Sequence, residues 1–229
     1  MQQQIITGES SLADEVADIL RTRILTGEYE MGEKLVENKI AKELKVSRTP
    51  VRDAFKQLTK ERLIEYIPNK GCFAKGFSQK DMADIYAVRK AVEELAVQWA
   101  IENADDSSIE GLKEQLDLMN FYTEHGFYDK LLQANEDFHN MIYQMTGSRF
   151  IVQVLSSYQD YVHLARKSTL SKEENLPAVY AEHVRIYESI RDRDVERAKV
   201  EVGTHLEGSA KRAMERWLER STSKKEKEK

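Results

Sequence analysis

Residues 37–60 read ENKIAKELKVSRTPVRDAFKQLTK, and this stretch decides the fold of the first part of the chain. Glu37 to Leu44 has the apolar spacing of a short helix. After a brief turn, Ser47 is placed as the N-cap of a longer helix that runs to about Lys60. Pro50 is tolerated in its first turn, where backbone N–H groups have no helical partners. The stretch therefore predicts two helices joined by a tight turn.

The sequence on both sides extends this pair into a larger pattern. A preceding helix is predicted by the apolar spacing that begins after Ser10 or Ser11 and stops at Gly27. Downstream, two β-favouring runs, Leu63–Ile67 and Gly71–Lys75, flank a Pro-Asn-Lys-Gly turn and predict a hairpin. Helix, helix, turn, helix and hairpin in this order indicate a winged helix-turn-helix.

The remainder of the chain has no strand signals and is predicted to be helical. The predicted segments are Ser78–Asn103, Ser107–Glu124, Tyr128–Thr146, Ser148–Thr169, Leu176–Arg191 and Val195 to about Arg220. We therefore expect a mainly α fold, with a winged helix-turn-helix domain over residues 1–76 and an antiparallel helical bundle over 77–220. Residues 221–229, where lysines and glutamates are interleaved, are expected to form a disordered tail.

Composition excludes several classes of protein. The 229 residues are 41% hydrophobic and 33% charged, with only 10 Gly and 3 Pro, which argues against disordered and collagen-like chains. No apolar run has the roughly 18 residues of a membrane span, and the first residues lack the pattern of a signal peptide. Cys72 is the single cysteine, so neither an intrachain disulfide nor a thiolate metal cluster can form. We expect a soluble cytoplasmic protein.

The distribution of charge points to nucleic acid. The chain has a net charge of −5, but residues 34–75 contain eleven basic and five acidic residues, a net charge of +6 that leaves −11 for the rest. Such a split is expected of a small nucleic-acid-binding module joined to an acidic domain.

The longer helix of the opening stretch has two distinct faces. On a helical wheel Val51, Phe55 and Leu58 share one arc, and the adjoining arc holds Arg48, Thr49, Arg52 and Lys56. A solvated basic face is the simpler interpretation of such a helix alone. The preceding turn, the Ser47 cap and the hairpin tip at Lys70 and Gly71 favour DNA binding instead, because arginines at such a helix start can reach guanine edges in the major groove.

Histidines in the helical part suggest a metal site. Asn135 and His139 are four residues apart on one predicted helix and point the same way. His183 and His205 lie on two further helices. Three imidazoles and one oxygen donor would suit Zn²⁺ or Ni²⁺. Spacing alone is poor evidence for a metal and favours ordinary core histidines, because a histidine on an apolar face is usually a satisfied core residue.

Arg89 lies at the edge of an apolar stripe on the first long helix. The stripe consists of Ile85, Val88, Val92, Leu95 and Trp99. An arginine directed into a bundle requires a partner, and its planar fork suits a carboxylate. That carboxylate is either Glu93, one turn further along, or a bound ligand.

The N-terminal motifs resemble the signature of GntR-family bacterial transcription regulators. The residues that carry the resemblance are RILTG at 23–27, MGEKL at 31–35 and IAKELKVSRTPVRDA at 40–54. The resemblance implies that Arg48 and Arg52 read bases, that Ser47 and Thr49 hold phosphates, and that Gly71 at the wing tip approaches the minor groove.

The C-terminal motifs are similar to the FCD effector domain of FadR-like GntR regulators. NEDFH at 135–139, EHVRI at 182–186 and His205 carry this resemblance, and six predicted helices are typical of the VanR-like branch. Many such domains bind a metal through an Asp and three His, which map onto Asn135, His139, His183 and His205. Asn in place of the acidic ligand should weaken the site. The resemblance also implies that Arg89, with Tyr86 and Asn135 as further candidates, meets the carboxylate of an organic-acid effector.

These observations predict a homodimeric, ligand-responsive regulator, expected to be a repressor, that binds a palindromic double-stranded DNA operator. Its helical domain would sense a small carboxylate in a pocket containing zinc or nickel, and it would not be an enzyme. One alternative is a helical metal-dependent hydrolase with an appended nucleic-acid-binding module. A further alternative is a metal-free helical domain that only dimerises.

Overall fold

The computed structural model describes residues 11–76, 78–157, 161–163 and 173–227. The chain divides into two compact units between Ser78 and Gln79.

The N-terminal unit has the predicted winged helix-turn-helix order. Its elements are α1 (Leu12–Leu25), β1 (Lys34–Leu35), α2 (Glu37–Leu44), α3 (Arg48–Lys60), β2 (Ile64–Ile67) and β3 (Gly71–Ala74). A capping box starts α1, because the Ser11 hydroxyl accepts a hydrogen bond from the backbone N–H of Asp14 and the Asp14 carboxylate accepts one from the N–H of Ser11. The boundaries of α2 and α3 agree with the sequence prediction.

The sheet contains the predicted hairpin and one strand that the sequence did not predict. β2 and β3 pair in antiparallel fashion from Ile64 opposite Ala74 to Ile67 opposite Gly71. β1 pairs with the other edge of β3, which gives the order β1-β3-β2. A strand of two residues is too short to produce a recognisable alternation of polar and apolar side chains.

The core of this unit lies between α1, α2, α3 and the sheet. Its most deeply buried residues include Leu20, Ile24, Ile40, Val51 and Leu58. An ion pair at the surface joins α1 to the end of α3, since the Arg21 guanidinium donates through Nε and Nη2 to the two carboxylate oxygens of Glu61 at 2.8 and 2.7 Å.

The C-terminal unit is helical throughout its described elements, as predicted. They are α4 (Gln79–Asn103), α5 (Asp106–Glu124), α6 (Tyr128–Met145), α7 (Arg149–Ser156), a 3₁₀ turn (Glu173–Asn175), α8 (Leu176–Arg191) and α9 (Val195–Lys227). Residues 161–163 are also helical. α4 packs against α6 and α9, and α5 packs against α6 and α8. The described residues include no helix with both the length and the apolar composition needed to cross a membrane.

Two boundaries differ from the prediction. The single helix predicted over Ser148–Thr169 ends at Ser156, where the Ser157 hydroxyl donates to the carbonyl of Val154 at 2.7 Å and competes with the helical pattern. Residues 158–160 and 164–172 lie outside the described residues, so the six-helix branch stays a prediction. At the other end, α9 continues to Lys227, although a disordered tail was predicted over 221–229. Lysine and glutamate are good helix formers, which accounts for the continuation.

Candidate functional site

Helix α3 separates an apolar face from a basic one. Its buried residues are Val51, Ala54, Phe55 and Leu58. The predicted DNA contacts Ser47, Arg48, Thr49 and Arg52 are all exposed. More than half of each arginine side chain is accessible, 59% for Arg48 and 55% for Arg52. The structure thus brings the predicted base-reading residues together on one surface.

Ser47 occupies the N-cap position of α3, but its side chain makes no capping hydrogen bond within the described part of the unit. The start of a helix has backbone N–H groups without helical partners and a partial positive charge. An exposed hydroxyl beside these groups suits a phosphate oxygen.

Lys70 and Gly71 lie at the tip of the β2-β3 hairpin, as predicted. Gly71 has a φ of 107°, which favours glycine, and a Cβ there would lie 3.3 Å from Cε of Lys34. Lys70 is exposed. The tip therefore presents a cation on a turn whose backbone depends on glycine.

Glu37 is a residue of this surface that the sequence reasoning missed. Its carboxylate accepts hydrogen bonds from Nε of Arg52 at 3.3 Å, from Nη2 of Arg52 at 3.1 Å and from Nη2 of Arg48 at 3.3 Å. The hydrogen bond from Arg52, together with Arg48, holds the pKa of Glu37 below its usual value. Because these residues lie on two helices, no local spacing pattern could have predicted the contact.

In the C-terminal unit three predicted metal ligands meet in the core. His139 lies on α6, His183 on α8 and His205 on α9, and all three are buried. One nitrogen from each ring lies within 4.8 Å of the others. Nε2 of His139 is 3.3 Å from Nε2 of His183, a separation that a single ion bound to both at the usual Zn–N distance of about 2.0–2.1 Å would span.

The other nitrogen of each ring faces an acceptor. Nδ1 of His183 donates to the carbonyl of Val179 at 2.7 Å, and Nδ1 of His205 to the carboxylate of Glu182 at 2.8 Å. Nδ1 of His139 is 3.6 Å from the carboxylate of Glu93. Outer acceptors of this kind fix the tautomer in which Nε2 carries the lone pair that a metal ion would need. Burial lowers the pKa of His205, which favours the neutral imidazole that a metal requires.

Asn135 completes the cluster. Its amide nitrogen lies 3.1 Å from Nε2 of His183. Its buried amide oxygen has no hydrogen-bond partner among the described residues. An unpaired buried oxygen is costly, and a metal ion or a ligand hydroxyl would satisfy it. The donor set of three imidazoles and one amide oxygen fits a borderline dication such as Zn²⁺ or Ni²⁺.

Arg89 is buried beside this cluster with 2% of its side chain exposed. Nε donates to the Glu93 carboxylate at 2.8 Å, so the pairing considered from the sequence is present. Burial opposes the charge of the guanidinium, but the charge of Glu93 keeps its pKa above the ordinary value. Nη1 has no hydrogen-bond partner within the described residues. One donor of the guanidinium is thus left for an anionic ligand.

The Tyr86 ring faces the Arg89 guanidinium, and Cζ of Arg89 is 5.0 Å from the centre of that ring. The Tyr86 hydroxyl is 3.0 Å from Oγ of Ser209, so the side chain is held in place by α9. This contact makes Tyr86 a support for Arg89 as well as a candidate ligand contact.

Glu182 and Arg212 also belong to the site but were not predicted as site residues. Besides His205, the Glu182 carboxylate accepts two hydrogen bonds from Arg212, at 2.8 and 2.9 Å. Burial raises the pKa of Glu182, but the hydrogen bonds from His205 and Arg212 outweigh burial and hold it below the usual value. A carboxylate with both oxygens engaged is poorly placed as a general base, which argues against the hydrolase alternative.

The two remaining histidines lie outside the cluster. His125 is the C-cap residue of α5, and its Nδ1 lies 2.8 Å from the carbonyl of Phe121. His163 pairs with Glu136 at 2.6 Å, a partner that the sequence did not suggest.

Comparisons with known proteins give a matching family model for each of the two units. The model for bacterial regulatory proteins of the gntR family matches residues 12–74, and the FCD domain model matches residues 84–208. The chain is 28% identical over 188 residues to the HTH-type transcriptional regulator YdhC of Bacillus subtilis, covering 82% of this chain and 84% of that protein. It is 26% identical over 190 residues to the gluconate operon transcriptional repressor of Bacillus licheniformis, covering 81% and 78%. Among solved structures, E. coli McbR/YncC has a similar fold, with a TM-score of 0.65 at 19% identity over 87% of this chain and 95% of that one.

Proposed function

The chain belongs to the gntR family of bacterial regulatory proteins and carries an FCD domain, and we propose that it is a repressor that releases its operator in response to an organic acid. The named relatives are transcriptional regulators rather than enzymes, and one of them is a repressor. In this proposal the N-terminal unit binds operator DNA and the C-terminal unit binds the acid.

The observation that carries the proposal is the two-faced helix α3. Its apolar face is buried, while Arg48 and Arg52 are more than half exposed beside the open N-terminus of the helix. A major groove admits a helix in this presentation, and arginine can donate to O6 and N7 of guanine together. Ser47, Thr49, Lys70 and Gly71 would contact the phosphates and the adjacent minor groove.

A gel-shift experiment tests DNA binding. The full chain is mixed with duplexes taken from the region upstream of its own gene, in the presence of excess random-sequence competitor. Arg48→Ala should weaken the specific complex about tenfold or more, because it removes a base contact. Lys60→Ala, at the far end of α3, removes the same charge and should weaken it less. No specific complex with the wild-type protein, together with no effect of Arg48→Ala, would contradict the proposal.

The C-terminal unit is proposed to bind a divalent metal and a small carboxylate together. His139, His183, His205 and Asn135 would hold the metal, and the metal, as a Lewis acid, would attract an anionic ligand. Arg89 would donate Nη1 to the same anion while Glu93 holds the other side of the guanidinium. The Tyr86 ring would pack against the Arg89 guanidinium and help to hold it in place.

A thermal-shift screen of organic acids, with and without added Zn²⁺ or Ni²⁺, tests this site. A ligand that binds only the folded protein raises its melting temperature by mass action. Arg89→Lys keeps the charge but loses the planar fork, so it should abolish the shift from the acid while keeping that from the metal. His183→Ala should remove bound metal from the purified protein. Wild-type protein that neither contains nor binds metal would support the alternative of a domain that only dimerises.

A homodimer is proposed because a palindromic operator requires two symmetric DNA-binding units. Sedimentation of the full chain at several concentrations tests this. A species of twice the chain mass is expected, and a monomer at all concentrations with undiminished operator binding would contradict it.

A further inference from the structure

We infer that Glu37 is a positioning and selectivity residue for DNA reading, which holds Arg48 and Arg52 so that they recognise bases rather than backbone phosphates. The inference rests on the proposed function, since it concerns how the same surface distinguishes one sequence from another. It is carried by the contacts between the Glu37 carboxylate and the two guanidinium groups.

The contact to Arg52 uses one particular edge of the guanidinium. Nε and Nη2 of Arg52 donate to the two oxygens of Glu37, at 3.3 and 3.1 Å. These two nitrogens form the side edge of the planar group, so the terminal edge, made of Nη1 and Nη2, faces away from the carboxylate. The terminal edge can donate to O6 and N7 of guanine together. Glu37 can therefore stay in place while Arg52 reads a base.

The contact to Arg48 couples the two arginines. Nη2 of Arg48 donates at 3.3 Å to the same Oε2 atom that accepts from Arg52. Arg48 and Arg52 are four residues apart and project from one face of α3. A shared acceptor fixes their orientation relative to each other and removes part of the conformational entropy that each would lose on binding a base.

The position of Glu37 keeps the carboxylate in place. It lies in the first turn of α2, where the helix dipole stabilises a negative charge. Only 27% of its side chain is exposed, compared with more than half for each arginine. The carboxylate is thus partly enclosed, and the arginines are accessible beyond it.

Charge explains the selectivity. Two cations and one anion present a net charge of +1 at the start of α3, where two unpaired arginines would present +2. Binding to any DNA sequence depends on the number of phosphates neutralised, and it weakens as salt increases in proportion to that number. Glu37 therefore reduces attraction to arbitrary DNA while it orients the groups that read bases.

The test is a selection from a pool of random-sequence duplexes, carried out in parallel with full-length wild-type protein, Glu37→Gln and Glu37→Asp. Glu65→Gln is the matched control, because Glu65 is exposed on β2 of the same unit and loses the same charge. Affinity for the selected sequence and for the unselected pool is then measured by fluorescence anisotropy at several salt concentrations.

Glu37→Gln should lower the ratio of specific to non-specific affinity about tenfold or more, with loss of guanine preference at the positions that the wild type selects. It should also bind the unselected pool more tightly and with a steeper salt dependence. Glu37→Asp keeps the charge but is shorter, so guanine preference should fall without tighter binding to the pool. Glu65→Gln should leave the ratio and the selected sequence unchanged.

If Glu37→Gln or Glu37→Asp, shown to be folded by circular dichroism, selects the wild-type sequence with an unchanged affinity ratio, the inference is wrong. An equal loss of the affinity ratio in Glu65→Gln would show that the effect depends on charge alone, and that result too would overturn the inference. Wild-type protein that selects no sequence would contradict operator binding itself, which separates failure of the proposed function from failure of this inference.

Discussion

At the scale of single residues, Asn135 is the most informative departure in the proposed metal cluster. Its neutral oxygen stands where the resemblance to FCD domains implies an acidic ligand, while Glu93 and Glu182 lie next to the histidines instead. Asn135→Asp should raise the affinity for Zn²⁺ or Ni²⁺ by roughly tenfold or more, because a carboxylate is a stronger ligand for a dication. Competition with a chromophoric chelator measures this change.

The same substitution should destabilise the metal-free protein. A carboxylate at a position that is 3% exposed adds a buried charge, and it costs more than the about 1–3 kcal/mol of an unpaired neutral polar group unless a cation compensates it. Urea denaturation with and without a strong chelator separates the two effects. Asn120→Asp, on α5, adds the same charge outside the cluster and should change neither quantity by a comparable amount. Unchanged metal affinity in Asn135→Asp would remove Asn135 from the ligand set.

What the sequence could predict at this scale depended on the distance between partners along the chain. Arg89 and Glu93 are one helical turn apart, and spacing alone offered Glu93 as one of the two partners considered for Arg89. Arg212 and Glu182 are 30 residues apart, and Glu37 lies 15 residues before Arg52. Those contacts arise from the packing of different helices, and no local period encodes them.

At the scale of elements, Arg193, which lies just after the end of α8, binds the end of α4 and the start of the connection to α5. It follows α8 with a φ of 55°, and its guanidinium donates to the carbonyls of Ile101 at 3.2 Å and Ala104 at 3.0 Å. The Ile101 carbonyl belongs to the last turn of α4, where oxygens have no helical partners, and Ala104 directly follows the helix. Arg193 therefore acts as a C-cap for α4 from a distant part of the chain.

Arg193→Ala should destabilise the protein by about 1–2 kcal/mol, since it removes two charge-assisted hydrogen bonds to backbone oxygens. Arg193→Gly should recover part of this loss, because glycine adopts a positive φ without strain. Arg191→Ala removes an exposed pair with Asp192 and should cost less than about 0.5 kcal/mol. Urea denaturation compares the three variants. Equal effects of Arg193→Ala and Arg191→Ala would show that the capping contacts contribute little.

Helices with regular apolar spacing were predicted closely, and weakly encoded elements were not. α3 matches its predicted boundaries because Val51, Phe55 and Leu58 recur at helical intervals. β1 consists of two residues, and it is a strand only because they pair with β3, which lies far along the chain. α7 ends early where the Ser157 hydroxyl hydrogen-bonds to the backbone, and the apolar spacing gave no sign of this local contact.

At the scale of the whole molecule, the positive charge of the chain is concentrated in one stretch of the N-terminal unit, which has a net charge of about +1, while the C-terminal unit has about −6. Residues 34–75 carry +6 and the rest of the chain −11, and the positive stretch lies within the N-terminal unit. An acidic effector domain reduces attraction of the whole protein to arbitrary DNA, because non-specific binding is largely electrostatic. The overall charge of −5 is therefore compatible with a protein whose DNA-reading surface is basic.

A regulator built from two units must obey thermodynamic reciprocity between its ligands. If the acid found by the thermal-shift screen weakens operator affinity by a given factor, operator DNA must weaken the affinity for that acid by the same factor. A coupling free energy of about 1–3 kcal/mol corresponds to a factor of 5–150. Calorimetric titration of the acid into the metal-loaded protein, with and without saturating operator, measures one factor, and anisotropy with labelled operator measures the other.

Arg89→Lys should remove both effects while operator affinity without the acid stays at the wild-type value. Two factors that differ beyond error would mean that the acid acts through a change in oligomeric state or through a second site, and an acid effect that persists in Arg89→Lys would mean that the unpaired Nη1 of Arg89 is not its receptor.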